Sequence, residues 1–205
     1  MSEDREAIEK LIRAAFDAQD YEHAATLTIE HYGAELLGFL VSHMRNTEDA
    51  SEVFGEFSEQ FWKTLPSFEW RCSARTWAYT LARRAASHYR KRERRHGIDQ
   101  PLTQLSRLSI AVERVRTATV AFKRTEVKDR FQELREQLEP EDQTLLILRV
   151  DRGLSWLELA EIMLGSEAAP SEEQLKTEAA RLRKRFQHAK ERLRGLVEEA
   201  GLLET

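Results

Sequence analysis

The chain has 205 residues, with 36 acidic and 32 basic side chains and a formal net charge of −4. No apolar run approaches the roughly 20 residues of a membrane span, and the acidic start MSEDREAIEK does not resemble a signal peptide. Membrane insertion is therefore not expected. The single cysteine, Cys72, excludes an internal disulfide framework and points to a cytoplasmic setting. Eight glycines and four prolines leave little turn chemistry for a sheet protein, so the composition predicts an all-α protein.

The charges are strongly segregated along the chain. Residues 1–60 hold fourteen acidic and four basic side chains, a net of −10, whereas residues 71–95 carry +8 and residues 176–194 carry +6. A single run of this kind is usually a solvated helix face. Two basic blocks and one acidic block instead indicate separate surfaces with different partners.

The N-terminal part of the chain reads as a series of helices. Apolar periodicity predicts helices over residues 5–16 and 22–45, and Thr47 is expected to cap the next one. Acidic residues recur three and four apart in that third helix and form one acidic stripe, which consists of Asp49, Glu52, Glu56 and Glu59. Like charges at this spacing cost about 0.3 kcal/mol per pair in an isolated helix, so the stripe favours a basic partner surface.

A loop with two aromatic residues is predicted next, over residues 65–72, because a proline interrupts the helical period there. Phe68 and Trp70 in this loop are placed either to pack in the interior or to stack on unpaired bases. A long helix is predicted from Ser73 to Arg95. Its expected core face consists of Ala74, Trp77, Leu81, Ala85 and His88.

The same helix carries a second face of cations, an aromatic ring and a hydroxyl. Arginine and lysine neutralise phosphates and aromatic rings stack on bases, so this face suits DNA with exposed bases. Its candidate DNA-binding residues are Arg75, Tyr79, Arg83, Arg84, Ser87, Arg90 and Lys91.

The second half of the chain begins with an irregular stretch. Residues 97–123 lose the helical pattern and are interpreted as a linker with some helix in its second half. Periodicity then returns, and Pro140 is expected to open a helix that Gly153 ends.

Two capping boxes follow. Ser155 and Glu158 open a short helix that should stop at Gly165, and Ser171 with Gln174 opens a long basic helix that reaches about residue 200. A short capped helix, a turn and a basic helix together outline a helix-turn-helix unit.

Two segments resemble the bacterial RNA polymerase sigma factors of the extracytoplasmic-function group, in the sigma-70 family. Glu48–Trp62 with Cys72–Arg95 is similar to the second conserved region, at Asp49, Ala50, Glu52, Glu56, Trp62, Trp77, Ala82, Arg83 and Arg90. Leu138–Leu164 with Arg181–Arg194 is similar to the fourth region, a helix-turn-helix in which Gly-Leu-Ser precedes Glu-Leu-Ala.

The resemblance implies two small helical domains joined by a linker. Residues 1–96 would bind core RNA polymerase through the acidic stripe and melt the −10 promoter element, residues 97–123 would be the linker, and residues 124–205 would read the −35 element. The −10 contacts would come from the second face of the long helix and from the loop, where Phe68 and Trp70 would capture a flipped base. The candidate −35 contacts are Lys176, Thr177, Ala180, Arg181 and Lys184.

The resemblance further implies a transcription initiation factor without catalysis or a cofactor. Its partners would be core RNA polymerase, promoter DNA and an anti-sigma factor. Gly55, Arg84 and Ser87 depart from the frequent Gln, Asn and Asp of the family, which puts a standard −10 sequence in doubt. The turn between Leu164 and Ser171 is also longer than usual.

Two other functions compete with this one. A helix-turn-helix regulator that acts without polymerase would leave the acidic stripe unexplained. A helical enzyme is disfavoured, because the sequence has no His pair at metal spacing, no Gly-rich phosphate loop and no nucleophile elbow.

Overall fold

The computed structural model describes residues 2–44, 46–93, 106–121, 133–165 and 170–201, and the regular structure in these ranges is all helical. The all-α prediction is confirmed. The chain divides into two compact units, residues 1–122 and 123–205. The first unit contains five long helices: α1 (Ser2–Asp17), α2 (Tyr21–Met44), α3 (Thr47–Thr64), α4 (Ala74–Glu93) and α5 (Ser106–Ala121).

Helix α2 is the centre of the first unit and packs against each of the other four helices. It is apolar around most of its circumference, which is typical of a buried helix. Its fully buried Ile29, Leu36, Phe39 and Leu40 share one core with three phenylalanines of α3, namely Phe54, Phe57 and Phe61. This core fixes the helices that carry the charged surfaces.

The start of α3 differs by one residue from the prediction. Asn46, not Thr47, is the N-cap, and its side-chain oxygen accepts a hydrogen bond from the Glu48 amide at 2.9 Å. The extended backbone at Asn46 lets its side chain reach the free amide, whereas Thr47 already lies in the helix.

The predicted linker contains a packed helix. Helix α5, within residues 97–123, lies along α2, and Arg116 Nε donates to Ser51 Oγ of α3 at 2.5 Å. Gly33 permits this close packing, because a Cβ at that position would lie 2.9 Å from Val115 Cγ2. The second half of the predicted linker is therefore part of the first unit, and residues 97–105 and 122–123 lie outside the described residues.

From Pro140 onwards, the described residues of the second unit form three helices and one π-helical turn. These are α6 (Pro140–Leu146), a π-helical turn (Ile147–Asp151), α7 (Trp156–Leu164) and α8 (Glu172–Glu199). Pro140 occupies the first turn of α6, as expected. Arg185 of α8 holds α6, since its Nε donates to Asp142 Oδ1 at 2.5 Å and its Nη1 donates to Glu141.

Both predicted capping boxes are present. The Ser155 amide donates to Glu158 Oε2 at 2.7 Å, and the Glu158 amide donates to Ser155 Oγ at 3.3 Å. Ser171 and Gln174 make the same reciprocal pair at 2.7 and 3.2 Å. Gly165 ends α7 with φ +54°, which glycine adopts without steric cost. None of the helices in the described ranges has the length and apolar character that a membrane span requires.

Candidate nucleic-acid interface

Two of the predicted DNA contacts on α4 lie in the interior. Arg75 is buried and forms a bidentate ion pair with Glu35 of α2, with Nε–Oε1 at 2.5 Å and Nη2–Oε2 at 2.9 Å. Tyr79 is fully buried, edge-on to Phe39 at 5.6 Å between ring centroids. The prediction that Arg75 and Tyr79 face DNA is therefore corrected, because Glu35 supplies the charge that lets the arginine turn inward.

The predicted core face of α4 is confirmed only in part. Ala74 and Leu81 are buried as expected, whereas Ala85 and Trp77 are half-buried and His88 is exposed. Trp77 still packs against Phe61 of α3, with 4.8 Å between ring centroids. The buried face also includes residues that the prediction did not place there, namely Ala78, Tyr79, Ala82, Ala86 and Tyr89. Alanines at spacing four let α4 approach α2 and α3 closely.

The other candidate contacts of α4 whose side chains are described stay at the surface. They are half-buried and comprise the basic Arg83, Arg84 and Arg90 and the hydroxyl residue Ser87. Arg90 Nη2 donates to the backbone carbonyl of His43 in the last turn of α2. A cation at this position also interacts favourably with the negative end of the α2 dipole. Lys91 belongs to the helical backbone of α4, but its side chain lies outside the described residues. We call Arg83, Arg84, Ser87, Arg90 and Lys91 the basic face.

His43 lies behind the basic face and is buried, stacked on Phe39 at 5.5 Å. Burial, followed by the charges of Arg90 and Arg83, lowers the pKa of His43 to about 3. The imidazole is therefore neutral at pH 7. It adds no positive charge to the two arginines that surround it.

The loop aromatics form one cluster with their neighbours. Phe68 is only 8% exposed and stacks on Trp77 with 4.5 Å between ring centroids, so its predicted role as an exposed stacking residue is corrected. Trp70 is half-buried and packs edge-on against Phe16 of α1 at 5.5 Å. The Arg13 guanidinium carbon lies 4.8 Å from the centroid of the Trp70 ring. Trp70 is the aromatic residue of this loop that reaches the surface.

The acidic stripe of α3 has partners within the first unit. The Tyr89 hydroxyl of α4 lies 3.0 Å from Asp49 Oδ1 and 3.4 Å from Glu52 Oε2, and Lys63 pairs with Glu59. Tyr89 was not among the site residues predicted from the sequence, although it lies near the end of a basic helix. These contacts relieve part of the repulsion along the stripe, while Glu52 remains exposed.

In the second unit, α8 presents its predicted −35 residues to solvent. Lys176, Thr177, Ala180, Arg181 and Lys184 are all exposed. Lys176 pairs with Glu172 at 2.5 Å and Arg181 with Glu178 at 3.1 Å. This face continues through the exposed Gln187 and His188, which were not predicted as site residues although helical spacing from Lys184 indicates them.

Trp156 joins the two helices of the helix-turn-helix outline. It lies at the first turn of α7, edge-on to Phe186 of α8 with 5.5 Å between ring centroids. The guanidinium carbons of Arg149 and Arg183 lie 4.8 and 5.7 Å from its ring. Because a cation over an indole ring is attractive, the Arg183 contact holds α7 against α8 and the Arg149 contact holds the π-helical turn against α7. In the described parts of the chain, no three His, Cys, Asp or Glu side chains group together as a metal site would require.

Residues 28–96 match the family model of sigma-70 region 2. These residues are a sigma-70 region 2. The predicted sigma-70 family resemblance is thereby confirmed for the segment that contains most of α2, all of α3 and α4, and the aromatic loop. This sigma-70 region 2 carries both the acidic stripe and the basic face.

A solved structure agrees with this assignment in fold. The chain is similar to the sigma factor RpoE from Bartonella quintana, solved as a co-crystal with the anti-sigma factor NepR, with a TM-score of 0.58 and 18% sequence identity. The match covers 88% of this chain and 98% of that chain, so it extends beyond sigma-70 region 2. No curated protein sequence matches the chain significantly.

Proposed function

We propose that the chain is an RNA polymerase sigma factor of the extracytoplasmic-function type, which brings core polymerase to its promoters and opens them. The observation that carries the proposal is the match of residues 28–96 to sigma-70 region 2. The similarity in fold to the sigma factor RpoE, over 88% of the chain, supports the same function for both units together. A regulator that acts without polymerase has no use for a sigma-70 region 2.

The acidic stripe of α3 is the proposed contact with core polymerase. Glu52 is exposed, and Glu56 and Glu59 are half-buried, so a basic surface can reach several carboxylates at once. Charge complementarity of this kind mainly sets partner choice and the rate of association. The partner surface would be basic.

Charge reversal tests this contact. The double substitution Glu52→Lys/Glu56→Lys should weaken binding of the full chain to core polymerase by at least about tenfold, because two attractive charge pairs become repulsive. Glu30→Lys, at an exposed position of α2, is the matched control and should leave the affinity unchanged. Equal affinities for the double variant and the wild type, with equal helicity by circular dichroism, would refute the assignment of the stripe.

The basic face of α4 and Trp70 are the proposed −10 contacts. Arg83, Arg84, Arg90 and Lys91 would neutralise phosphates of the melted strand, and Trp70 would offer its ring to a flipped base. The buried Phe68, Arg75 and Tyr79 would support this surface from beneath without touching DNA.

The exposed face of α8 is the proposed −35 reader. Arg181 and Lys184 have the donors that bind guanine edges in a major groove, and Thr177 with Ala180 can lie against thymine methyl groups. The acidic residues of the first turn, Glu172 and Glu173, would repel phosphates, so the reading residues lie further along the helix.

Promoter-dependent transcription with core polymerase separates the proposal from its alternatives. The chain should convert core polymerase to a form that initiates at particular genomic fragments, and sequencing the DNA bound by the holoenzyme should give a two-part motif. Absence of both core binding and promoter-dependent transcripts would favour a regulator that acts without polymerase. We also propose an anti-sigma factor as a partner, because the structural neighbour was solved with one.

A further inference from the structure

Helix α1 lies outside the residues matched to sigma-70 region 2, yet one side of it touches the aromatic loop and the start of α4. Glu9, Arg13 and Phe16 stand four and three residues apart, so they share that side. We call these three residues the α1 stripe. Glu9 contacts the first two residues of α4, Arg13 contacts Trp70, and Phe16 contacts both Phe68 and Trp70.

Glu9 acts as a helix cap from 65 residues away. Its carboxylate accepts hydrogen bonds from the amide of Ala74 at 2.8 Å and from the amide of Arg75 at 3.1 Å. It also accepts one from the Tyr32 hydroxyl at 3.0 Å. Ser73 Oγ accepts from the Thr76 amide at 3.1 Å, so the first three amides of α4 are all paired.

A carboxylate at this position also suits the positive end of the α4 dipole. Free amides at a helix start are normally satisfied by a residue close in sequence. Here the cap belongs to α1, so the position of the first turn of α4 depends on the position of α1. The loop ends at that turn.

Trp70 is held in an unusual state by the other two residues of the stripe. Its φ of +56° is uncommon for a residue with a bulky side chain, and such strain concentrates at functional sites. Its Nε1 is buried without a hydrogen-bond partner. Phe16 packs against one side of the ring and the Arg13 guanidinium lies over it.

The surroundings leave room beside Trp70. A groove of about 520 Å³ lies between α1 and the loop, and Glu9, Arg13, Trp70 and Ser73 are among the residues that line it. That volume is within the range of ligand sites and exceeds the size of one nucleobase. A base that stacked on the exposed part of Trp70 would therefore lie next to α1.

We propose that the α1 stripe positions the Trp70 loop for base capture and so sets the base preference of the −10 contact. The inference rests on the proposed function, and it makes Glu9 and Arg13 positioning residues rather than DNA contacts of the basic face. Strain at Trp70 persists because contacts at Glu9, Arg13 and Phe16 determine the loop from three points.

The test uses the holoenzyme on a promoter obtained from its bound DNA. Open-complex rates are measured on templates with each of the four bases at every −10 position. Glu9→Gln and Arg13→Ala should each lower the ratio between the best and the worst base by at least about fivefold at one position, the scale of a single base contact. Glu30→Gln, the same change at an exposed position of α2 that does not line the groove, is the control and should keep the ratio.

The ratio of rates does not depend on the fraction of active protein, so a simple loss of stability would not change it. Arg13 is exposed, so its replacement leaves the core intact. If Glu9→Gln fails to fold, Arg13→Ala alone therefore tests the role of the α1 stripe. Ratios within twofold of wild type at every position, in each variant that folds, would overturn the inference. Failure of the wild-type holoenzyme to form promoter-dependent open complexes would instead overturn the proposed function.

Discussion

The ion pair between Arg75 and Glu35 gives a direct test of the corrected view of α4. If Arg75 is structural, its removal should change stability and leave DNA binding alone. If it contacted phosphate, its removal would lower the slope of log affinity against log salt by about one. The perturbations are Glu35→Leu, Arg75→Met and the two together.

The two partners differ in exposure, and this difference sets the expected magnitudes. The Arg75 side chain is 4% exposed and that of Glu35 is 23% exposed. Glu35→Leu leaves the buried guanidinium without its ion-pair partner Glu35. It should lower the free energy of unfolding by about 4 kcal/mol, within the range for breaking a buried pair. Arg75→Met leaves a carboxylate that can reach water and should cost about 2 kcal/mol. The double variant should return to within about 1 kcal/mol of wild type, because no buried charge remains.

Urea denaturation of the full chain, followed by tryptophan fluorescence, measures these values. Three of the four tryptophans, Trp62, Trp70 and Trp77, lie in the first unit and report on it. A structural role for the ion pair is refuted if Glu35→Leu is no more destabilising than Arg75→Met, or if the double variant shows the sum of the two losses. A change in the salt dependence of promoter binding by the Arg75→Met holoenzyme would also refute it.

Four further outcomes are expected. Arg84→Ala should lower the salt slope of promoter binding by about one, and an unchanged slope in a KCl titration would show that Arg84 does not touch phosphate. Ser155→Ala should cost about 1 kcal/mol in the second unit through loss of the cap, measured by urea denaturation; no loss would mean that the box contributes nothing. Gly33→Val should release α5, seen as faster hydrogen exchange over residues 106–121, whereas unchanged exchange would contradict the close approach. The free energy of unfolding should fall as pH drops from about 6.5 towards 3, by up to about 1.4 kcal/mol per pH unit. The reason is that His43 binds a proton over this range in the unfolded chain but stays neutral when it is buried in the folded chain. His43→Gln should lack this slope in urea titrations.

Local signals in the sequence predicted the local structure well. The capping boxes at Ser155 and Ser171, the proline start of α6 and the glycine end of α7 all involve residues within four positions of one another. Such contacts involve residues that are close in sequence, so the order of residue types is enough to predict them. The resemblance to sigma factors rested on the same kind of short-range pattern, and the match to sigma-70 region 2 confirms it.

The buried face of each helix and the contact partners of its charged residues were harder to predict. Large aromatic side chains suggested that Trp77 leads the core face of α4, but the alanines at spacing four and the paired Arg75 face inward instead. A basic helix with apolar residues on several sides has more than one possible core face. The neighbouring helices decide between them.

The sequence by itself determined the helical class, the capped helix starts at Ser155 and Ser171, the charge segregation and the resemblance to sigma-70 region 2. The tertiary structure decided which charges are available to a partner. Arg75 turns inward because folding brings it to Glu35, which is forty residues away in the sequence. Tyr89 reaches the acidic stripe from another helix, and Glu9 caps α4 from α1. The cost of burying a charge or leaving an amide unpaired is offset only by groups that folding brings together, and no local pattern in the sequence records them.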